Sequence, residues 1–213
     1  MLQLEISWRK RKTNNNECLQ CDYMAMNNII VSDVFGKTKA LIELGNAINA
    51  DVIVDPYDGK NMNFIDEVQA YSYFAENIGL DSYLEMLSKT IKECSGECIL
   101  IGFSVGASII WQLSQLSQLP SIKMTKVVKG ATCFYGSQIR HLSKLSPKFE
   151  VKLIFPKSEP HFDVVALQHA LANKEKVKTM QVDYLHGFMN THSNNFNDAG
   201  YEEHIELLRQ STI

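Results

Sequence analysis

From residue 28 onward, short apolar runs alternate with segments whose apolar positions repeat at helical spacing. The run at 29–31 is continuously apolar, which is typical of a strand that is buried on both faces. In residues 37–49, apolar side chains return every three or four positions, as on the buried face of a helix. The pattern predicts strands at 29–31, 51–54, 98–101, 127–135, 151–155 and 178–184, and helices at 37–49, 64–77, 81–93, 105–118, 162–172 and 199–210.

This alternation predicts an α/β fold, a mainly parallel sheet of about six or seven strands with helices on both faces. The folded domain is expected to span residues 27–213. Residues 1–26 differ, because they hold a basic cluster (Arg9-Lys10-Arg11-Lys12), a run of asparagines and no sustained periodicity. We predict that they form a flexible N-terminal extension. In such sheets ligands bind where strands end, so the functional residues are sought there.

Composition narrows the function classes. The net charge of −3 over 213 residues gives no broad basic field for nucleic acid, and no run of about 20 apolar residues could span a membrane. Five cysteines are an odd, scattered set, which favours reduced thiols and a cytoplasmic protein. Cys18 and Cys21 form a CxxC that lacks a second pair at zinc-site spacing, so neither metal nor cofactor is predicted.

The segment Gly102-Phe103-Ser104-Val105-Gly106 follows a strong strand and precedes a strong helix. A nucleophile at so sharp a turn has a strained backbone, and its neighbours two positions away must lack side chains. Ser104 would then project above the sheet, and the N–H of Val105 would face a developing oxyanion. The alternative is a tight packing turn with no chemistry.

A serine nucleophile needs a histidine base. His186 is the preferred candidate, because it follows the last predicted strand on a loop that can reach the sheet edge. His192, in the same polar loop, is the main competitor. His169 and His204 lie in the middle of predicted helices and are expected at the surface.

An acid must orient the histidine, and it should come between the serine and the histidine in the chain. Glu159 follows the strand at 151–155 and is preferred. Asp163 is the rival, although it would also suit the first position of the next helix.

Several segments, taken in order, resemble the dienelactone hydrolase family of the α/β-hydrolase superfamily. They are Asp33-Val34-Phe35-Gly36, Asp55-Pro56-Tyr57, the Gly102–Gly106 turn, Phe134-Tyr135-Gly136, Glu159-Pro160 and His186-Gly187-Phe188. The resemblance implies an α/β-hydrolase fold, His186 as the catalytic histidine, and an oxyanion hole built from the N–H groups of Val105 and Val34. It also places Asp33 beside the nucleophile, where the family has a glutamate. The alternative for Asp33 is to cap the helix that begins near Lys37.

The chain departs from the family archetype in two ways. Ser104 replaces the cysteine nucleophile, which indicates general ester chemistry. The archetype binds an anionic lactone through arginines, whereas no basic residue lies between Lys60 and Lys89, and Asn190 stands where an arginine is expected. The archetype's carboxylate clamp and its lactone substrate are therefore not carried over.

We predict a hydrolase that cleaves a small carboxylic ester, lactone or thioester, with Ser104, His186 and Glu159 as the catalytic residues. Asp33, Phe35 and Phe103 are expected to line the pocket, and the partner is a small-molecule substrate. The aromatic residues of segment 60–80 are expected in the core rather than in an acyl site. The alternative function is a non-catalytic ligand-binding module, which a wide separation of Ser104 and His186 would favour.

Overall fold

A computed structural model describes residues 26–116 and 127–211, and between them the backbone of 118–119 and 122–123. The strands are β1 (Met26–Val31), β2 (Val52–Val54), β3 (Glu97–Phe103), β4 (Gln118–Leu119), β5 (Ile122–Lys123), β6 (Val128–Phe134), β7 (Glu150–Phe155) and β8 (Val177–Gln181). The α-helices are α1 (Lys39–Ala47), α2 (Glu67–Asn77), α3 (Gly79–Glu93), α4 (Val105–Ser114), α5 (Val164–Ala172) and α6 (Asp198–Ser211). A 3₁₀-helix spans Ser137–Leu142.

Six strands form one sheet in the order β2-β1-β3-β6-β7-β8, and every neighbouring pair is parallel. This confirms the predicted fold class. The predicted N-terminal extension and the CxxC of Cys18 and Cys21 lie outside the described residues, apart from Met26, which opens β1. Among the described helices, none has the length and apolar character that crossing a membrane requires.

The continuously apolar strands are buried because helices cover both faces of the sheet. Alternate side chains of β1 point to opposite sides: Ile29 and Val31 pack in one hydrophobic cluster and Ile30 in the other. The first cluster includes apolar residues of α3, α4 and α5, and the second includes those of α1 and α6. The layering therefore follows from the strand periodicity of two.

Polar residues fix where three helices begin. Thr38, Asp66 and Asp163 each accept a hydrogen bond from a backbone N–H in the first turn of α1, α2 and α5. Thr38, and not Asp33, therefore caps α1. The cap at Asp66 places Glu67 in the first turn of α2, where a carboxylate is favoured by the helix dipole.

Three local features differ from the sequence predictions. The helix predicted to 118 ends at Ser114, and the hairpin of β4 and β5 follows. The 3₁₀-helix was not predicted, because six residues are too few to show helical periodicity. His204 was predicted at the surface, which is wrong: it is fully buried, and its ring packs against Phe134 and Phe188.

The carboxyl ends of β1 and β2 are tied to α3 by the buried side chain of Tyr83. The hydroxyl of Tyr83 lies 3.1 Å from the carbonyl oxygen of Ser32 and 3.0 Å from that of Val54. It also lies 3.0 Å from the hydroxyl of Ser32. Since Asp33 and Val34 follow directly, this contact fixes the base of the loop that carries them.

We expect Tyr83→Phe to lower the free energy of unfolding by about 1–2 kcal/mol, because it removes a buried hydroxyl donor from the carbonyl oxygens at the ends of β1 and β2. Chemical denaturation measures the change. Tyr73→Phe, on the neighbouring helix and 38% exposed, is the matched control and should change stability by less than about 0.5 kcal/mol. Equal losses in the two variants would contradict this role for Tyr83.

Candidate active site

Ser104 occupies the junction between β3 and α4 in a backbone conformation that L-residues rarely adopt. Its φ is 51° and its ψ is −112°. The conformation is held by the sheet, because the Ser104 N–H donates to the carbonyl oxygen of Phe134 at 3.0 Å. Ser104 is the residue before the helix, yet its side chain makes no capping hydrogen bond. Its hydroxyl is therefore left for another partner.

The two glycines of the turn are needed for close packing. A Cβ on Gly102 would lie 2.8 Å from backbone atoms of Ala107 in α4. A Cβ on Gly106 would meet the carbonyl oxygens of Val31 and Ser32 at the end of β1. Both clashes involve backbone, so neither can be relieved by a side-chain rotation. This is the steric reason for the spacing of the motif.

The structure brings Ser104, His186 and Glu159 together. His186 Nε2 lies 3.0 Å from Ser104 Oγ, and His186 Nδ1 lies 2.7 Å from Glu159 Oε1. Because a carboxylate oxygen only accepts, Nδ1 donates to Glu159, and Nε2 faces the serine hydroxyl. The His186 side chain is 15% exposed and that of Glu159 is 6% exposed.

The second acidic candidate, Asp163, does not reach the histidine. Its carboxylate accepts from the N–H of Ala166 at 3.1 Å and so begins α5. Glu159 is held instead by a bridge between its backbone and that of Phe162. The loop is also tied to the segment that follows β8, because the Lys157 N–H donates to the carbonyl oxygen of Tyr184 at 2.7 Å.

The loop that carries His186 is fixed by its own polar residues. The Asn195 side-chain amide donates to the His186 carbonyl oxygen at 2.9 Å. Gly187 has a φ of 84°, and a Cβ there would collide with Ser193. The ring of Tyr135 packs against the imidazole with 4.8 Å between centroids. His192, the competing base, is exposed, and its ring lies near Phe35 rather than at Ser104.

Asp33 lies beside the serine and the histidine, and is 8% exposed. Its Oδ1 accepts from the Phe35 N–H at 2.9 Å, and its Oδ2 accepts from the Asn190 side-chain amide at 2.6 Å. Burial raises the pKa of Asp33 to about 6, although these two hydrogen bonds act in the opposite direction. Asn190, where the family archetype has an arginine, thus serves to hold Asp33.

The remaining predicted residues divide between the site and the core. Val34 and Phe35 line a small cavity together with Ser104, and Val105 lines a larger cleft with it. The Tyr57 hydroxyl fixes the Val34 segment by donating to the Val34 carbonyl oxygen at 2.7 Å. Phe103 is not among the residues lining either space; it is buried and stacks on Phe134.

Glu67 is a site residue that sequence reasoning missed. Its Oε1 lies 3.6 Å from His186 Nε2, on the side of the ring that faces the serine. It comes from the start of α2, 37 residues before Ser104 in the chain, and no motif marks it. The sequence feature that could have indicated Glu67 is the capping residue Asp66, which fixes where α2 begins.

The surrounding carboxylates set the protonation of His186. Burial lowers the pKa of His186, but the hydrogen bond and the charge of Glu159 raise it by more. The charges of Glu67 and Asp33 raise the pKa further. The net result is a pKa above the ordinary histidine value. The site therefore stabilises an imidazolium, the species that forms when histidine takes a proton from serine.

Ser104 and His186 open onto a cleft of about 920 Å³, which is the size of a small-molecule site. One wall comes from α2, with Val68 and Tyr71, and the other includes Leu185. Phe74 is buried in the core, as predicted for the aromatic residues of segment 60–80, but the prediction is wrong for Tyr71 and Tyr73. Both are exposed, and Tyr71 lines the cleft. Within the described ranges, no three His, Cys, Asp or Glu side chains are grouped so that they could hold a metal ion.

Solved structures share this architecture. The chain aligns with a dienelactone hydrolase-like promiscuous phosphotriesterase from metagenomic libraries with a TM-score of 0.57 and 10% identity, over 88% of this chain and 87% of that one. The Vlm2 thioesterase domain aligns with a TM-score of 0.58 and 13% identity, over 87% and 92% of the two chains. The protein thus has the α/β-hydrolase fold, the class that its sequence motifs indicate.

The sequence gives a nearer relative. The chain is 30% identical to YczH of Bacillus subtilis (strain 168), an uncharacterized protein, over 85% of this chain and 89% of YczH. It belongs to the same family as YczH. No protein-family model matches the chain.

The contact between Glu67 and His186 leads to a prediction about pH. Histidine accepts a proton only when it is neutral, so the acidic limb of kcat/KM follows its pKa. Glu67→Gln removes a charge that raises this pKa, and we expect the limb of ester hydrolysis to move to lower pH. Glu76→Gln, on an exposed position of the same helix, is the control and should leave the limb in place. An unchanged limb in Glu67→Gln would contradict the coupling.

Proposed function

We propose that the protein is a serine hydrolase that cleaves a small carboxylic ester or thioester through an acyl-enzyme. The observation that carries the proposal is the continuous hydrogen-bonded chain from Ser104 through His186 to Glu159 at the mouth of a cleft of ligand size. The two contacts, at 3.0 and 2.7 Å, are already within the reach that proton transfer requires.

In the acylation step, Ser104 Oγ attacks the carbonyl carbon while its proton passes to His186 Nε2. The resulting imidazolium is stabilised by Glu159, which accepts from Nδ1–H. As the bond to the leaving group breaks, the same Nε2 proton moves to the departing oxygen or sulfur. Water then repeats the sequence: His186 removes its proton, the hydroxide attacks the acyl carbon, and Ser104 leaves with the proton returned to it.

The developing oxyanion needs donors that are fixed in advance. The N–H of Val105 begins α4, where the helix dipole favours negative charge. Val34 is the second donor in the proposal, and its segment is anchored by Tyr57 and by the turn that Asp33 makes with Phe35. Asp33 is assigned a positioning role, since its two carboxylate oxygens bind the Val34 segment on one side and Asn190 on the other.

Two further observations favour ester chemistry over a non-catalytic binding module. The Ser104 and His186 side chains are in direct hydrogen-bond contact, whereas a module has no need of that geometry. The structural neighbours named above are a phosphotriesterase and a thioesterase, both of which break ester-type bonds. The likeness supports the class of reaction, and the cleft around Ser104 supports a small-molecule substrate.

Ser104→Ala is expected to lower the hydrolysis of short 4-nitrophenyl esters by at least about a thousandfold while the protein stays folded. The readout is kcat/KM, with circular dichroism to check the fold. Ser82→Ala, an exposed serine on α3, is the matched control and should retain the parental rate. Hydrolysis that survives in Ser104→Ala would exclude this residue as the nucleophile.

The two acidic candidates are separated by paired variants. We expect Glu159→Gln to lower kcat by about a thousandfold or more, because the imidazolium loses its stabilising charge. Asp163→Ala removes a helix cap and should cost about 1 kcal/mol of stability. Its kcat should stay close to the parental value. The opposite assignment, with kcat lost in Asp163→Ala and kept in Glu159→Gln, would overturn the proposed role of Glu159.

A further inference from the structure

The substrate cleft contains an arginine that the proposed mechanism does not use. Arg140 lies on the 3₁₀-helix Ser137–Leu142, and it lines the same cleft as Ser104 and His186. It is partly buried. Its side chain belongs to a segment that the sequence motifs did not mark.

Two contacts hold the guanidinium in place. One Nη donates to the carbonyl oxygen of Ser137 at 2.7 Å, and the guanidinium carbon lies 5.4 Å from the centre of the Phe162 ring. Phe162 is bridged through its backbone to Glu159, so the ring is part of the loop that orients His186. An arginine held in this way loses little further freedom when it binds an anion.

The charge of Arg140 is not balanced by a neighbouring acid. Among residues 26–116 and 127–211, no carboxylate lies within 4.0 Å of Arg140. The two glutamates that line the cleft, Glu67 and Glu159, both contact His186 instead. A guanidinium has five N–H donors arranged to match a carboxylate, and the contact with Ser137 uses one of them.

We propose that Arg140 is an anion-binding subsite, and that the preferred substrates are esters that carry a carboxylate away from the bond that is cleaved. The inference rests on the proposed function and adds the substrate class. The distance between the substrate's carboxylate and the cleaved bond follows from charge. Glu67 lies beside His186 and would repel an anionic group close to the scissile carbonyl. The carboxylate must therefore be several bonds distant from the scissile carbonyl, where Arg140 on the 3₁₀-helix can bind it.

The test compares esters that differ by one carboxylate. On the acyl side, mono-4-nitrophenyl adipate and suberate are paired with 4-nitrophenyl hexanoate and octanoate. On the alcohol side, 4-(butanoyloxy)phenylacetate is paired with 4-methylphenyl butanoate. We expect kcat/KM to favour the anionic member of at least one pair by about tenfold or more, as a charge-assisted hydrogen bond provides. The preference should shrink as NaCl is raised.

Variants of Arg140 then show whether this side chain causes the preference for anionic esters. In Arg140→Gln the ratio of anionic to neutral ester should fall to near unity, and Arg140→Lys should restore part of it. Lys144→Gln, which removes an exposed positive charge four residues further on, should keep the parental ratio. A parental enzyme with no preference in any pair, or a preference that Arg140→Gln retains, would overturn the subsite.

A failure of the proposed function gives a different result, because no ester of either kind would then be hydrolysed. In that case, binding of the mono-esters to Ser104→Ala, measured by calorimetry with and without Arg140→Gln, still decides on the subsite. Tighter binding of the anionic member that depends on Arg140 supports it. Equal binding of the paired esters excludes it.

Discussion

The whole site depends on one backbone constraint, the left-handed conformation of Ser104 at the end of β3. A non-glycine residue in this region costs about 1–3 kcal/mol, and it persists only where the surroundings impose it. Here β3 is buried between β1 and β6, and the Ser104 N–H is bound to the Phe134 carbonyl oxygen. The turn can be this sharp because Gly102 and Gly106 leave room for α4 and for the end of β1. The stability of the surrounding sheet thus offsets the energetic cost of the Ser104 backbone conformation.

Parallel topology then explains why distant residues meet. Strand carboxyl ends share one edge of the sheet, so Asp33 after β1, Ser104 after β3, Glu159 after β7 and His186 after β8 gather there. Each loop is locked by short-range polar contacts, such as those of Asn195 with His186 and of Asn190 with Asp33. The consequence is a hydrogen-bonded chain that exists before a substrate arrives, which is the condition for electrostatic preorganisation.

The sequence predicted the features that periodicity and steric spacing encode. Apolar runs give buried strands, and the glycine spacing around Ser104 marks the turn, so both could be read without a structure. Sequence reasoning preferred Glu159 over Asp163, which also suited the start of α5, but it could not decide between them. The structure shows that the Glu159 carboxylate is the one that faces His186. Glu67 and Arg140 could not be found in this way, because they come from a helix start and a 3₁₀-helix whose positions depend on tertiary packing. The error at His204 has the same origin: helical spacing marks a face, but Phe134 and Phe188 decide that the imidazole is enclosed.

The proposed mechanism requires that the Ser104 hydroxyl be the group activated for attack. It is tested most directly by treating the folded protein with a fluorophosphonate and locating the adduct by peptide mass spectrometry. We expect one phosphonyl group, on Ser104, in protein that is treated in its native state, and none in protein that is denatured before treatment. A native protein that remains unmodified, or that carries the group on another residue, would contradict it.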